Sequence, residues 1–125
     1  EVIALLDETT NYVVYSNRNI DCRQLKKIYS KMDYLIGTRF HSVIFSLSSR
    51  IPVIAITYGG NKGKGIMKDM GLEEYALPMN SITKEVLIKK FVQLTENKES
   101  IKSIINEALK RYNEQKKFII NRIKE

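Results

Sequence analysis

An arginine and a histidine stand two residues apart just after a short apolar run. The run Tyr34-Leu35-Ile36 is followed by Gly37, Thr38, Arg39, Phe40 and His41, and His41 is the only histidine of the chain. An arginine is a permanent cation whose forked donors match a phosphate or a carboxylate. A histidine is the side chain that titrates near neutral pH without special help. The pair predicts a site for an anionic substrate whose reaction moves a proton.

Side-chain direction sets a condition on this pair. In a helix each residue turns by about 100°, so Arg39 and His41 would point roughly 200° apart. In extended backbone, side chains two residues apart lie on the same side. The shared site therefore requires residues 38–40 to be extended and the helix to begin near His41 or Ser42. The local sequence leaves a second interpretation open, in which Arg39 is a surface arginine and His41 a half-buried histidine.

A second basic segment is the glycine-rich stretch Tyr58–Gly65, which contains Lys62 and Lys64. We expect a loop here, whose backbone N–H groups could surround a phosphate. The stretch lacks the Gly-Lys-Ser/Thr triplet of a P-loop, and its glycine spacing does not match the dinucleotide fingerprint. A flexible connection with solvated lysines is the alternative that the residues leave open.

Apolar patterns typical of strands and helices alternate along the chain. The strand patterns cover residues 12–15, 34–36, 51–56 and 75–77, and the helix patterns cover 22–32, 41–49, a short segment ending at Gly71, 83–94 and 99–124. Residues 2–6 are apolar but ambiguous. Asp21 is expected to cap the first helix. Three methionines are expected to fill the core: Met67, Met70 and Met79.

Short strands without polar alternation predict an α/β fold, with a Rossmann-like parallel sheet and flanking helices. In such a sheet, ligands bind beyond the carboxyl ends of the strands. Both basic segments leave the sheet at that edge. We therefore expect four side chains to meet at one rim: Arg39, His41, Lys62 and Lys64.

Composition indicates one globular domain, residues 1–125, with 43% hydrophobic residues. The single cysteine, Cys22, excludes an internal disulfide, and one histidine with scattered acids provides no metal-ligand spacing. No apolar run approaches the roughly 18 residues of a membrane helix, and no signal peptide opens the chain. These observations predict a cytoplasmic location.

Most of the net charge of +7 lies on the carboxyl-terminal helices, because residues 82–125 hold a surplus of five cations. The charges alternate as they do on solvated helix faces. No arginine-rich block with interleaved aromatic residues is present, so nucleic-acid binding is not predicted. A basic surface of this kind could contact an acidic partner or the anionic inner face of a membrane.

Three segments resemble the carboxyl-terminal part of the polysaccharide pyruvyl transferase family. They are Asp33–Leu47, Ile51–Tyr58 and Lys62–Leu72, which follow each other within about forty residues. Their order and spacing are more specific than any single motif among them. One extra glycine between Tyr58 and Lys62 distinguishes this chain from the commonest form.

The resemblance implies one lobe of a two-lobed enzyme similar to GT-B glycosyltransferases. This chain would be the carboxyl-terminal, donor-binding lobe, with residues 83–125 as its terminal helices and the active site in the cleft between lobes. We expect the isolated chain to bind the donor weakly and not to turn over, since the amino-terminal lobe that binds the acceptor would be missing.

The resemblance also implies a reaction. Phosphoenolpyruvate would be the donor, without a cofactor or metal, and two hydroxyls of a free or lipid-linked saccharide would attack it to give a pyruvate ketal and phosphate. By position, Arg39 would hold the donor's phosphate or carboxylate, and His41 would be an acid/base or a second anion contact. Thr38, Lys62 and Lys64 complete the candidate substrate-binding set.

Two other functions fit the residues. The chain could be the nucleotide-sugar lobe of a GT-B glycosyltransferase, which would need an acidic residue near the sheet edge to hold a ribose. Glu73 and Glu74 are the nearby acidic pair. It could also be a non-catalytic anion-binding or interaction domain, whose long last helix docks on a partner.

Overall fold

A computed structural model describes residues 6–15, 19–60 and 62–124. The helices and strands, in chain order, are α1 (Cys22–Tyr29), β1 (Leu35–Gly37), α2 (Phe40–Ser48), β2 (Val53–Thr57), α3 (Lys62–Asp69), β3 (Ala76–Pro78), α4 (Lys84–Glu96) and α5 (Lys98–Lys124), with short 3-10 turns at Glu73–Tyr75 and Met79–Ser81. The three strands form a parallel sheet in the order β1-β2-β3, and helices flank it. The predicted α/β fold with a parallel sheet is confirmed.

The central strand β2 is the most deeply buried part of the sheet. Val53, Ile54 and Ala55 are at most 1% exposed. Ala55 is the register partner of Gly37 in β1 and of Ala76 in β3. A strand that is covered on both faces has no polar face. This burial explains why β2 is a continuous apolar run in the sequence.

Side-chain capping starts α1, as the sequence predicts. The Asp21 carboxylate accepts hydrogen bonds from the backbone N–H groups of Arg23 (2.8 Å) and Gln24 (2.7 Å), and the Gln24 side chain accepts one from the Asp21 N–H (3.0 Å). Such a reciprocal capping box satisfies N–H groups that a helix start leaves free. The helix ends at Tyr29 and not at Met32, because the chain turns there to enter β1.

The segment Tyr12–Tyr15 is not a strand, so this prediction is wrong. Its residues are irregular and exposed, and Val13 is 91% exposed. Strand preference of aromatic and β-branched residues depends on a neighbouring strand that they can pack against. None of the described strands pairs with this segment. Residues 2–5 lie outside the described part of the chain.

Two of the three methionines lie in the core, as predicted. Met67 and Met70 are buried between α3 and its neighbours, whereas Met79 is half exposed, so the prediction is wrong for Met79. Met79 opens the 3-10 turn after β3, where the chain has already left the sheet.

The last two helices confirm the predicted carboxyl-terminal pair. Thr83 caps α4 through its hydroxyl, which accepts a hydrogen bond from the Val86 N–H at 3.3 Å. The first half of α5 packs on the core through Ile101, Ile105 and Ala108. From Lys110 onward, every α5 side chain that the structure describes is exposed.

Polar contacts hold α4 to the turn that precedes β3. The Glu74 carboxylate accepts hydrogen bonds from Lys90 Nζ (3.1 Å) and from Gln93 Nε2 (2.7 Å). The ammonium of Lys90 also lies 5.4 Å from the ring centre of Tyr75, a cation–π distance. The Tyr75 side chain is thereby enclosed between the turn and α4.

Burial of the Tyr75 side chain makes the stability of the fold sensitive to alkaline pH. Burial, with a smaller contribution from the Glu74 charge, raises the pKa of Tyr75 above its ordinary value. Because the folded-state pKa is the higher one, the stability is complete below about pH 10 and falls as the pH rises through the folded-state pKa. We expect Tyr75→Phe to lose less stability than the parent between about pH 8 and about pH 11. Urea unfolding at both pH values measures this, and an equal loss in both proteins would contradict it.

Candidate functional site

A cleft of about 430 Å³ opens where β1 and β2 end. Its walls come from the segments that follow the two strands, and its lining residues are Thr38, Arg39, Phe40, Val43, Ala55, Ile56, Thr57, Tyr58, Gly59, Gly60, Lys62 and Gly63. The carboxyl edge of a parallel sheet is the place where α/β proteins bind ligands. The volume lies in the range of small-molecule sites.

Two helices begin at this cleft. The cleft residue Phe40 is the first residue of α2, and the cleft residue Lys62 is the first of α3. Neither helix has an acidic residue in its first turn, and the residue before α2, Arg39, makes no side-chain capping bond. The first N–H groups of a helix lack partners within the helix and carry partial positive charge. The cleft is therefore suited to an anion.

The backbone of Arg39 is extended, as a shared site requires. Its φ and ψ are −105° and 133°, and α2 begins at the next residue, Phe40, one residue earlier than expected. The side chains of Thr38 and Arg39 line the cleft. Since residues 38–39 remain outside the helix, the arginine is held at the end of β1 and not carried around the helix axis.

The structure places His41 outside the cleft lining. His41 is the second residue of α2 and is exposed, with its ring 5.8 Å from the ring of Phe40 in an edge-on arrangement. Phe40 itself lines the cleft, so His41 lies one side chain away from it. The early helix start explains this position, because the helical turn at Phe40 rotates His41 away from the direction of Arg39.

The predicted loop Tyr58–Gly65 is wrong from Lys62 onward, where α3 begins. Gly59 and Gly60 turn the chain with positive φ values of 52° and 78°. Such values suit glycine. A short glycine turn and, from Lys62, a helix therefore replace the long phosphate-wrapping loop.

A close contact explains why the second residue of α3 is a glycine. A Cβ atom at Gly63 would lie 2.9 Å from Cγ2 of Thr57, the last residue of β2. Only glycine lets the first turn of α3 approach the strand so closely. This approach brings Lys62 to the cleft beside the end of β2.

Lys64 lies outside the cleft lining. Its Nζ atom is 3.4 Å from a carboxylate oxygen of Glu73, and both side chains are exposed. Glu74 is likewise engaged, by Lys90 and Gln93. The acidic pair that a ribose contact would need is thus occupied by side chains of α3 and α4. The structure brings Thr38, Arg39 and Lys62 together, and it leaves His41 and Lys64 outside.

The candidate site residues chosen from the sequence did not include the cleft residues Phe40, Thr57 and Tyr58, although Tyr58 lies in the expected basic loop. Tyr58 stands exposed at the mouth, and the Thr57 hydroxyl donates to the Leu77 carbonyl at 3.4 Å. Thr57 ends β2 and Tyr58 directly follows it, whereas Phe40 comes three residues after β1 and begins α2. The rule that ligands bind at the carboxyl edge would have identified Thr57 and Tyr58, since it applies to every residue at a strand end.

Comparison with known proteins relates the chain to a family. Residues 2–60 match the family model described as polysaccharide pyruvyl transferase. The chain is 35% identical over 88 residues to the amylovoran biosynthesis protein AmsJ of Erwinia amylovora, an alignment that covers 70% of this chain and 20% of that protein. The chain therefore spans about a fifth of the length of this curated relative. No solved structure matches the chain.

The family match covers most of the cleft. Residues 2–60 include β1, β2 and the cleft residues from Thr38 to Gly60, and Lys62 lies just beyond them. The remaining wall of the cleft is the start of α3, and its position beside β2 depends on the contact between Gly63 and Thr57.

A pair of alanine substitutions in α3 tests this contact. Gly65→Ala adds a Cβ with no atom within 4 Å, so it should stabilise the helix by about 1 kcal/mol. Gly63→Ala gains the same helix preference but meets Thr57, and overpacking of this kind costs about 1–3 kcal/mol. We expect Gly63→Ala to be the less stable variant in urea unfolding. Equal stabilisation by both substitutions would contradict the close contact.

Proposed function

We propose that this chain, which belongs to the polysaccharide pyruvyl transferase family through residues 2–60, forms the donor-binding lobe of a pyruvyl transferase. The enzyme would transfer pyruvyl groups from phosphoenolpyruvate to a sugar. That sugar would be part of a cell-surface polysaccharide or of its lipid-linked precursor. The observation that carries the proposal is the cleft in which Thr38, Arg39 and Lys62 meet beside two helix starts. The relative's name assigns it to amylovoran biosynthesis, which supports a biosynthetic role.

The donor's two anionic groups explain why such a cleft would be needed. Phosphoenolpyruvate carries its phosphate and its carboxylate on the same enol carbon. Arg39 can form two parallel hydrogen bonds to one of them, worth about 1.5–3 kcal/mol. Lys62 adds a mobile point charge, and the free N–H groups of α2 and α3 add donors for the other. The proposal does not use Lys64, which pairs with Glu73.

The proposed chemistry forms two C–O bonds at one carbon. One sugar hydroxyl adds to the enol carbon, while the methylene carbon takes up a proton and becomes a methyl group. A second hydroxyl then displaces the phosphate, which leaves with the C–O bond electrons, and the hydroxyl proton is released. The product is a pyruvate ketal. Arg39 and Lys62 would stabilise the departing phosphate.

His41 has a proposed role at the rim of the cleft. A histidine can give the proton to the methylene carbon or take one from a hydroxyl. Because His41 is exposed and separated from the cleft by Phe40, we propose that it acts on the acceptor side or contacts the donor carboxylate.

The remaining parts of the proposal concern the whole protein. A second, amino-terminal lobe would bind the saccharide acceptor and close a GT-B-like cleft, with no cofactor besides the donor. The enzyme would work in the cytoplasm at the inner face of the membrane, where a lipid-linked precursor is accessible. Among the described residues, no helix combines the length and hydropathy needed to cross a membrane.

Donor binding to the chain tests the anion site. We expect Arg39→Gln to weaken phosphoenolpyruvate binding by about 10- to 100-fold, and Arg39→Lys to fall in between, because lysine keeps the charge but loses the paired donors. Lys62→Gln should weaken binding, whereas Lys68→Gln, an exposed position later in the same helix, should not. Calorimetric titration measures all four. Parent-like binding by Arg39→Gln, or an equal loss in Lys68→Gln, would contradict the assignment.

Turnover by the full-length protein tests the reaction and the role of His41. We expect phosphate release from phosphoenolpyruvate that depends on an oligosaccharide or lipid-linked acceptor. His41→Gln should lower kcat by about 10²–10⁴ if the histidine transfers a proton. A mainly raised KM would assign it to anion contact. Consumption of a nucleotide-sugar, with no reaction of phosphoenolpyruvate, would overturn the proposed function.

A further inference from the structure

The end of α5 is exposed, yet it carries four large apolar side chains. Phe118, Ile119, Ile120 and Ile123 are 62%, 56%, 40% and 78% exposed. Single exposed apolar residues are common, but a contiguous group of this kind marks an interaction surface. We call these four residues, together with the half-exposed Tyr112, the distal α5 surface.

The distal α5 surface continues the face by which α5 packs on the core. Ile119 follows the buried Ile101 by eighteen residues, and Ile123 follows the buried Ile105 by the same number. Eighteen residues correspond to about five turns, so each pair lies in line along the helix. The core-facing stripe of α5 thus extends past the core, where no described residue covers it.

An apolar groove adjoins the point at which α5 leaves the core. It has a volume of about 220 Å³, and Ile44, Ile66, Leu109 and Tyr112 are among the residues that line it. Tyr112 belongs both to the groove and to the distal α5 surface. The groove thus lies next to the amino-terminal end of the distal α5 surface.

The same part of the chain carries most of its excess positive charge. Residues 110–125 hold six cations, Lys110, Arg111, Lys116, Lys117, Arg122 and Lys124, against two glutamates. Among the described residues, no carboxylate forms a salt bridge with Lys116, Lys117 or Arg122. Arg122 lies over the ring of Phe118 at 5.3 Å. The cations are thus available to an anionic partner.

The positive charge around the distal α5 surface distinguishes between the kinds of partner that its apolar side chains could bind. A second copy of the chain would bring two basic segments together, and like charges at close range oppose association. A neutral apolar partner would leave the cations without counter-charges. A surface that combines exposed apolar side chains with surrounding lysines and arginines is typical of helices that lie on anionic bilayers.

We propose that the distal α5 surface binds an anionic lipid bilayer. The apolar side chains enter the boundary between headgroups and acyl chains, while Lys116, Lys117 and Arg122 contact lipid phosphates. The inference extends the proposed function. It rests on that function because the proposed enzyme works at the inner face of the membrane. It does not involve the donor cleft.

Vesicle binding by the chain tests the proposal. The probes are vesicles of phosphatidylcholine alone and vesicles with about one-third phosphatidylglycerol, compared by flotation at low and high salt. We expect binding to the anionic vesicles only, and weaker binding at high salt because salt screens exposed charges. Absence of binding, or equal binding to both kinds of vesicle, would overturn the proposal.

Paired apolar substitutions separate this surface from general hydrophobicity. Ile119→Asn with Ile123→Asn should reduce binding to anionic vesicles on the order of 100-fold, since two buried aliphatic side chains are lost. The control is Ile88→Asn with Val92→Asn, because these α4 residues are also exposed aliphatic residues, at 52% and 46%. A control loss as large as that of the α5 pair would overturn the proposal.

Paired charge substitutions test the electrostatic part. Lys116→Gln with Lys117→Gln should weaken binding to anionic vesicles by about 10- to 30-fold, whereas Lys84→Gln with Lys89→Gln on α4 should leave it unchanged. Far-ultraviolet circular dichroism of every variant identifies any loss of helix. An equal effect of the two pairs would assign the binding to net charge and overturn the proposed surface.

Two further measurements distinguish other partners and separate this proposal from the donor site. A dimer in the absence of lipid that the Ile119/Ile123 substitutions dissolve would assign the surface to a second copy. Binding of a polyglutamate peptide as tightly as anionic vesicles would assign it to an acidic protein. Either result overturns the proposal. Phosphoenolpyruvate titration without vesicles is independent of both, so a failed donor site and a failed membrane surface give different results.

Discussion

The parallel pairing of β1 with β2, in which Gly37 lies opposite Ala55, puts the carboxyl ends of both strands at one edge of the sheet, and the cleft depends on it. The chain leaves both strands at this edge, β2 two residues further along than β1. The segments leading to α2 and α3 therefore start side by side. The sheet thus brings two helix N-termini and two cations, Arg39 and Lys62, to one opening. A direct contact between the two cations is not needed for this arrangement.

Glycines let both walls of the cleft approach the sheet, at a cost to local stability. A Cβ at Gly37 would meet the side chains of Leu35 and Ser42 at 3.1 Å, and one at Gly63 would meet Thr57 at 2.9 Å. Glycine in a helix costs about 1 kcal/mol relative to alanine, and a lysine in the first turn opposes the helix dipole. Both unfavourable choices fall on the first turn of α3. Local rules that are broken together at a cleft indicate selection for binding, because an anion bound there would reverse the dipole penalty.

The sequence predicted those features that depend on local pattern, and it failed where distant contacts decide. Apolar runs identified β1, β2 and the long helices, and the edge rule placed Arg39 and Lys62 together. The segment Tyr12–Tyr15 has strand composition but no described neighbour to pair with. The start of α3 could not be predicted from its glycine-rich sequence, because glycine disfavours a helix and the close approach of Gly63 to Thr57 is a tertiary contact. His41 illustrates the effect of a small error in the predicted start of α2. A helix that begins one residue earlier rotates the His41 side chain by about 100°.

The proposed reaction requires that the donor is oriented and that water is excluded, and the cleft is open to solvent. Arg39 and Lys62 are exposed, and Tyr58 stands at the mouth, so water reaches a bound anion from one side. Charge-assisted hydrogen bonds are much stronger where water is excluded. The described residues could therefore orient the proposed donor, but they would leave it in contact with solvent. In the proposed enzyme, the element that covers the mouth must exclude water and also bring the acceptor hydroxyls to the enol carbon. His41 is exposed beside Phe40 at the edge of the cleft, a position that suits the acceptor-side role proposed for it.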